Sequence, residues 1–444
     1  MKKLPMLLLC AHLTSCAFAQ EMLGVRTGNF AGIQGALLNP SSIADSKLAW
    51  DVNVASVGAT FANNFLYAPK NQVPFFGFRR IIKGSIDENL FDTKFDPANP
   101  NKQFNVALSA EALGPSFFMT VGRRHKHEIG LTIAGRSYAS IRNITGHLGE
   151  NAFDYFLNKS LWDQSFQDNS VRVRFMGWME YGAHYATVIH EDERYEIKVG
   201  GALKYLQAYA AAYARSARIG YTIQDTTGMV FTNTNLDYGR TDYGDYGPHG
   251  HGFSADLGVT LVRKGIGSLG LSLLDLGSVN LRHAASAYHL QTAEGVFSDW
   301  HQAKFANNEQ VDRTLSAVFY NGDSSASFAG NHFRMGLPTA LSVQADWNVY
   351  RHFYTTLAIV KGLGMPRPDV YAIVPRYETR WGDVSLPASL LYYGHWQPRL
   401  GLAVRIGYFY IGGDEIGPLL RLHDLDAVDF YAGVHIFFTQ KHNI

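Results

Sequence analysis

The sequence predicts an all-β protein, a transmembrane antiparallel β-barrel of about 14 strands (range roughly 12–16) with an N-terminal luminal plug and long extracellular loops. Three observations predict it. The first is a repeated period of two. Leu341, Val343, Ala345, Trp347 and Val349 alternate with Ser342, Gln344, Asp346, Asn348 and Tyr350. Strand side chains point to opposite faces in turn, so one row suits lipid and the other water. Several such runs reach the ~9–11 residues that a membrane-crossing strand needs. The second observation is an export signal at the N-terminus. The third is that no later segment offers the ~18 consecutive apolar residues of a membrane helix, and lipid tolerates only helices and closed barrels. The 28 Phe, 24 Tyr and 7 Trp are enough for aromatic girdles at two interfaces. A secreted β-sandwich or propeller is the competing reading, and it calls for shorter strands and closer turns.

Residues 1–19 read as a signal peptide. Lys2 and Lys3 are its charged start, Leu4 to Leu13 its apolar stretch, and Ala17-Phe18-Ala19 its cleavage site. Leu13-Thr14-Ser15-Cys16 is a competing lipobox, which Thr14 fits poorly. Cleavage after Ala19 removes Cys10 and Cys16 and leaves a cysteine-free chain without disulfides or thiolate metal sites. It also lowers Lys plus Arg from 39 to 37, against 38 Asp plus Glu. A chain so balanced is not expected to bind nucleic acid.

Residues 20–50 are not strand-like and form the expected plug segment; residues 51–440 form the barrel. In the plug, Asn39 is a helix N-cap and Pro40 the first helical residue. The first strand is expected over about Asp51–Tyr67 and the second over Gln103–Gly122. Arg123 to His127 is a charged turn, and the third strand runs from Glu128 to about Asn143. Phe153, Phe156, Leu157 and Leu161 recur at helical spacing, so residues 148–166 read as an amphipathic helix in a loop. Strands follow at Val171–Ala186, Tyr195–Tyr213, Gly252–Val262 and Ser268–Leu281, with a Tyr/Gly-rich loop over Asp237–Gly247. The remainder is strand-dense: 339–350, 353–363, 369–381, 384–394, 399–412 and Val428–Phe438. Both termini belong on the periplasmic side, which requires an even number, so 399–412 must split into a hairpin near Gly407. Long connections are external in such barrels, which assigns Ala68–Lys102, Gly146–Asn169, Arg215–His251 and His283–Met335 to the outside.

Gly28-Asn29-Phe30-Ala31-Gly32-Ile33 and Ala36-Leu37-Leu38-Asn39-Pro40-Ser41-Ser42-Ile43-Ala44-Asp45 resemble the start of an uncharacterised family of Bacteroidota outer-membrane barrels. Leu271 to Gly277, Pro375-Arg376-Tyr377-Glu378, Val384 to Pro387, Leu402 to Gly407 and Asp429 to Gly433 are similar to it as well. More distantly, Asn39-Pro40 resembles the Asn-Pro-Ala element of FadL-type transporters of hydrophobic substrates, with Ser41 in place of the Ala. That resemblance implies fourteen strands and a lumen plugged by the N-terminal segment, here including Asn29, Asn39, Pro40 and Ser41.

The polar row of the strands places Arg136, Arg172, Arg174, Glu180, His184, Glu196, Lys198, Asp256, Asp346, Arg405 and His435 toward the lumen. An Arg or Lys turned to lipid at mid-membrane costs ~2–4 kcal/mol, which forces this orientation. Such a row is either a selective polar path or a salt-bridge network filling a plugged barrel. His125-x-His127 and His249-x-His251 each offer two ligands and lack a third, so no metal is expected. Neither is a cofactor. No G-x-S-x-G, H-E-x-x-H or phosphate loop occurs, and catalysis is not expected. The expectation is a protein of the Gram-negative outer membrane that passes a small hydrophobic or amphipathic solute passively. The alternative is a non-transporting accessory barrel with a cell-surface protein partner.

Overall fold

A computed structural model describes residues 21–44, 46–72, 91–122, 126–154, 158–224, 228–242, 247–298, 328–364 and 367–439. The expected signal peptide, its two cysteines, and His125 lie outside these residues. Fourteen antiparallel strands close into a barrel. They are β1 (Leu48–Asn63), β2 (Gln103–Leu113 with Ser116–Val121), β3 (His127–Thr145), β4 (Arg172–Glu191) and β5 (Tyr195–Ile223). Next come β6 (Gly228–Thr241 with Gly250–Arg263), β7 (Gly267–Leu281 with Ala285–Ser298) and β8 (Phe328–Gly330, Phe333–Gly336 and Ala340–Tyr350). The last six are β9 (Phe353–Gly362), β10 (Asp369–Glu378), β11 (Gly382–Ser385 with Ala388–Tyr392), β12 (Trp396–Leu400 with Leu402–Ile406), β13 (Phe409–Gly413) and β14 (Ala427–Thr439). Each pairs with its sequence neighbour, and β1 pairs with β14, from Trp50 against Phe438 to Ala62 against Ala427. Closure gives every strand of the barrel two neighbours.

The expected hairpin at 399–412 is present: Ile406 faces Phe409 across Gly407, whose φ of 59° suits glycine. Pro115 and Pro387 fall in the gaps of β2 and β11, where a residue without an N–H interrupts the ladder.

The two faces invert the pattern of a water-soluble core. Leu257, Leu269, Leu271, Trp347, Leu357, Ile373, Leu390 and Ile406 are exposed, whereas Asp256, Ser272, Thr356, Arg376, Ser389 and Arg399 are buried. Among the described residues no helix is long and apolar enough to cross a membrane.

The wall has unequal height. β9 and β10 have 10 residues each, whereas β5 has 29. The last third of β5 pairs with Gly228–Thr241 of β6, which pairs in turn with Ala285–Ser298 of β7. This tall sheet corrects two expected loops. Residues 215–223, 228–241 and 285–298 are strands, and the Tyr/Gly-rich stretch from Asp237 to Thr241 is the end of one. Thr234, Asn235 and Asp237 are polar and interrupt the apolar row there, so the sequence reads as loop.

The expected helix at 148–166 is shorter and starts earlier. α3 spans Gly146–Asp154, and a 3-10 turn follows at Lys159–Leu161.

The N-terminal stretch folds as α1 (Leu23–Arg26), α2 (Ile33–Ala36) and a 3-10 turn at Pro40–Ile43. The Asn39 side chain caps that turn by accepting from the Ser41 N–H at 3.1 Å. Ile33, Ala36 and Ile43 are buried among Leu48, Leu113, Phe118 and Phe437 of the wall. Leu23 and Leu38 pack on Ala340, Val360 and Val374. A separate apolar layer, built from Trp178, Leu206, Val279, Phe333 and Leu337, covers the buried face nearer the tall sheet.

Candidate functional site

The N-terminal stretch is tied to strands on every side of the barrel. The Asp414 carboxylate, just past β13, accepts from Leu23 N at 2.7 Å and Gly24 N at 3.3 Å. Glu378 on β10 accepts from Asn29 N at 3.0 Å and Asn29 Nδ2 at 2.6 Å. Asp51 on β1 accepts from Ile33 N at 2.9 Å and meets His435 Nδ1 of β14 at 2.8 Å. Asn39 Nδ2 donates to Thr260 Oγ1 of β6 at 3.1 Å and Gln344 Oε1 of β8 at 3.0 Å. Ser272 of β7 donates to the Leu38 carbonyl at 2.7 Å. Arg26 reaches Glu111 of β2 and Gln34.

The wall is recessed where Asn39 and Pro40 land. Gly200 of β5 and Gly258 of β6 are direct cross-strand partners. A Cβ at Gly200 would run into the Pro40 carbonyl, and one at Gly258 into the Asn39 side chain. Gly270 of β7 likewise lies under Asn39, 2.6 Å from its amide nitrogen to the position of a Cβ.

A charge network fills the middle. Arg136 donates to Glu180 at 3.1 Å and Asp275 at 2.9 Å and stands 3.7 Å from Glu111. Lys204 contacts Asp256 at 2.6 Å, Asp275 at 2.9 Å and Glu180 at 3.8 Å. With Arg26 this sets three cations against four carboxylates. Asp275 sits in a bulge opposite Ala255–Leu257 with φ 55°, a sparsely populated region for a side-chain-bearing residue. Its N–H is held by Asp256 at 2.7 Å, and the bulge aims its carboxylate between Arg136 and Lys204.

A second cluster lies beside Asn29. Arg376 is bound by Glu378, Thr356 and Asp346, the last at 2.8 Å. Arg405 pairs with Asp383, with its guanidinium 4.9 Å from the Phe30 ring centre.

Two cavities flank the N-terminal stretch. One, of about 480 Å³, opens among Lys47, Glu196, Lys198, Thr260, Gln344 and Asp346, close to the tight turns. The other, of about 70 Å³, lies among Leu37, Glu111, Arg136, Tyr138 and Glu180. Arg26 lines both.

The sequence-selected residues therefore fall into different settings. Arg136, Glu180 and Asp256 join the central network. Asp346, Arg405 and His435 sit beside the N-terminal stretch. Glu196 and Lys198 are 3.8 Å apart near the turn end, where Glu196 also meets Lys264 at 3.2 Å. His184 is buried and bonded to Thr132 at 3.0 Å. Arg172 is exposed and Arg174 half-buried, far along the strands from the network. Sequence reasoning left out Asp275, Glu111, Glu378, Asp51 and Asp414. The signal for Asp275 was present: Leu273 and Leu274 are consecutive apolar residues, which breaks the alternation where the bulge lies.

His249 and His251 do not converge, and the other pair includes His125, which lies outside the described residues. His249 is buried with Nδ1 at the His283 carbonyl, whereas His251 is exposed and bonded to the Tyr205 hydroxyl at 2.7 Å. Among the described residues no group of three or more His, Cys, Asp or Glu is arranged to hold a metal ion.

Outside the barrel wall, His147 of α3 meets the Tyr221 hydroxyl and stacks on Phe166 at 4.1 Å, with Nε2 4.0 Å from Asp168. Burial pushes the Asp168 carboxyl up to about 6 and the His147 ring down to about 4.

Comparisons with solved structures find chains of similar extent. A TodX deletion mutant, a monoaromatic hydrocarbon channel, matches with TM-score 0.44 and 7% identity over 93% of this chain and 95% of that one. The translocator domain of the autotransporter NalP from Neisseria meningitidis matches at TM-score 0.32 and 10% identity, over 95% and 100%. A FadL homologue of Pseudomonas aeruginosa matches at 0.24 and 7%, over 90% and 93%. No curated protein matches. A model of a family of unknown function, DUF5723, matches residues 40–414, and the chain belongs to that family.

Proposed function

We propose that this protein is an outer-membrane barrel stopped by its own N-terminal segment, residues 20–50 as far as the start of β1 at Leu48, and that it passes a small or amphipathic solute passively when that segment shifts. Export by a signal peptide over residues 1–19 and a barrel over 51–440 belong to the same reading. A closed barrel with an exposed apolar row and a buried charged row suits lipid outside and a polar lumen.

One observation carries the proposal. The segment is held by hydrogen bonds and an ion pair on β1, β2, β6, β7, β8, β10 and the end of β13, together with the apolar packing of Leu23, Ile33, Leu38 and Ile43, and it lies between two cavities. Each such hydrogen bond contributes only ~0.5–1.5 kcal/mol net between neutral groups and ~1.5–3 kcal/mol to a carboxylate. A segment seated by separate contacts on a glycine-floored pad can leave as a unit without breaking the wall. The tall sheet of β5, β6 and β7 favours the second reading, an accessory barrel for cell-surface or secretion machinery, because it presents a large surface beyond the lumen.

The test is conductance and solute flux in reconstituted bilayers. The mature chain is compared with a variant lacking residues 20–46 and with Gly258→Leu, which blocks the Asn39 seat. Folding is checked by heat-modifiable gel migration. Flux that rises in both variants is the expected result. Folded but closed barrels in both would overturn transport and direct attention to the tall sheet.

A further inference from the structure

Three arginines stand side by side on adjacent strands. Arg142 of β3 is the direct partner of Arg172 of β4, and Arg172 is the direct partner of Arg215 of β5. The row continues to Asp237 of β6 and His289 of β7. Arg174, one inward-facing position from Arg172, pairs with Ser140 and Tyr213 and is within electrostatic reach of Arg172 and Arg215.

All four share the face of the buried lumen residues. Arg142 continues the row of Tyr138 and Ser140, Arg172 and Arg174 that of Met176 and Trp178, and Arg215 that of Ala211 and Tyr213. They therefore line the inside of the barrel just beyond its apolar layer, where the tall sheet begins.

Like charges directly opposite one another destabilise a sheet. Among the described residues, only Arg215 of the four has a carboxylate at ion-pair distance, Asp237 at 2.8 Å, and Asp237 is shared with His289 at 2.7 Å. The Arg142 guanidinium lies 5.1 Å from the Tyr393 ring centre, and its Nε is buried with no hydrogen-bond partner among the described residues. Among the described residues, four arginines on one face thus share a single ion-paired carboxylate.

We propose that this row is a binding site for a doubly charged tetrahedral oxyanion, the phosphate or sulfate group of a soluble solute entering from the tall-sheet side. Neighbouring strands are ~4.8 Å apart, so the backbone positions of the three arginines span roughly 10 Å, a width that their long side chains can bridge onto one group. Guanidinium forks match phosphate and sulfate oxygens bidentately. A dianion offsets the excess positive charge that a single carboxylate leaves. The inward orientation selects a solute over a lipid headgroup, because headgroups meet the opposite face. Binding is read on the folded barrel at equilibrium, so it holds or fails separately from passage through the lumen.

The test uses the full mature chain folded in detergent at low ionic strength. Inorganic phosphate is titrated calorimetrically, with chloride as the control, and thermal melting is followed with each anion. Saturable phosphate binding is expected, weakened roughly tenfold or more in Arg172→Gln and Arg142→Gln and unchanged in Arg194→Gln at the far turn. Phosphate should raise the melting temperature of the wild type beyond chloride at equal ionic strength and leave Arg172→Gln unmoved. The melting comparison on the wild type alone decides the matter if a variant fails to fold. No saturable binding, or equal binding in all variants, would overturn the site. Binding of phospholipid vesicles but not of inorganic phosphate would overturn the solute assignment.

Discussion

Asp275 concentrates the charge balance of the lumen on one side chain. It accepts from both Arg136 and Lys204 while its own backbone occupies the left-handed region. Removing one partner of a buried ion pair costs ~3–5 kcal/mol, and Asp275 is the acceptor that Arg136 and Lys204 share. Asp275→Ala is therefore expected to lower stability by about that amount in urea titrations of the folded barrel. Asp275→Asn, which keeps the hydrogen-bonding shape, should fall in between. Equal stability of Asp275→Ala and the wild type would show that Glu180 and Asp256 suffice.

Asp168 and His147 make a pH prediction at the same scale. The Asp168 carboxyl is raised to about 6, so its contribution to the cap that α3 forms with Phe166 and Tyr221 is present at low pH and lost as pH rises through 6. The His147 ring is lowered to about 4, so its contribution is present above the ordinary imidazole value and lost as pH falls through 4. The two slopes oppose each other between about pH 4 and 6, and the wild-type cap should be nearly flat there. Asp168→Asn leaves only the histidine slope. Hydrogen-exchange protection of residues 146–154 should then fall on acidification. A profile as flat as the wild type would sink the assignment.

At the scale of elements, glycine placement explains how a polar wall seats a folded segment. Gly200 and Gly258 form a cross-strand pair beneath Asn39-Pro40, and Gly32, at φ 60°, lets α2 approach Asp51. Gly200→Val should displace the 3-10 turn while β5 keeps its pairing, read as increased labelling of a cysteine introduced at Ser42 with unchanged heat-modifiable migration. Unchanged labelling would mean that the pad does not set the seat. The tall sheet makes an opposite prediction. Residues 212–223 and 228–241 are laddered strands, so their amides should resist exchange as strands do and not as loops.

At the scale of the molecule, the exposed apolar row makes a prediction about insertion under the proposed outer-membrane reading. Leu357 lies mid-strand on β9 and is exposed. Leu357→Arg should cost ~2–4 kcal/mol in reversible folding into vesicles if that row meets the bilayer midplane. A cost near zero would contradict a lipid-facing row.

The barrel itself was legible in the chain because a period of two is a local property. Alternation in Ala340–Tyr350 needs no distant partner to be recognised, and the parity of closure correctly demanded the hairpin at Gly407. The cap at Asn39 was legible for the same reason, since Asn39, Pro40 and Ser41 are consecutive. The height of the wall was not. Where β5, β6 and β7 stand clear of the barrel, alternation loses its apolar row and strand resembles loop. The lumen was legible only in part. Inward parity marked Arg136, Glu180, Asp256 and Arg405, but which charge meets which depends on register between strands and on one bulge at Asp275. The anchors of the N-terminal segment are 18 to 391 residues away from it along the chain. Local alternation thus determined the architecture and the sign of each face. Closure alone brought Asp414, Glu378 and Asp51 around one segment, and Arg142, Arg172 and Arg215 into one row, because non-local contacts exist only once the register of every strand is set.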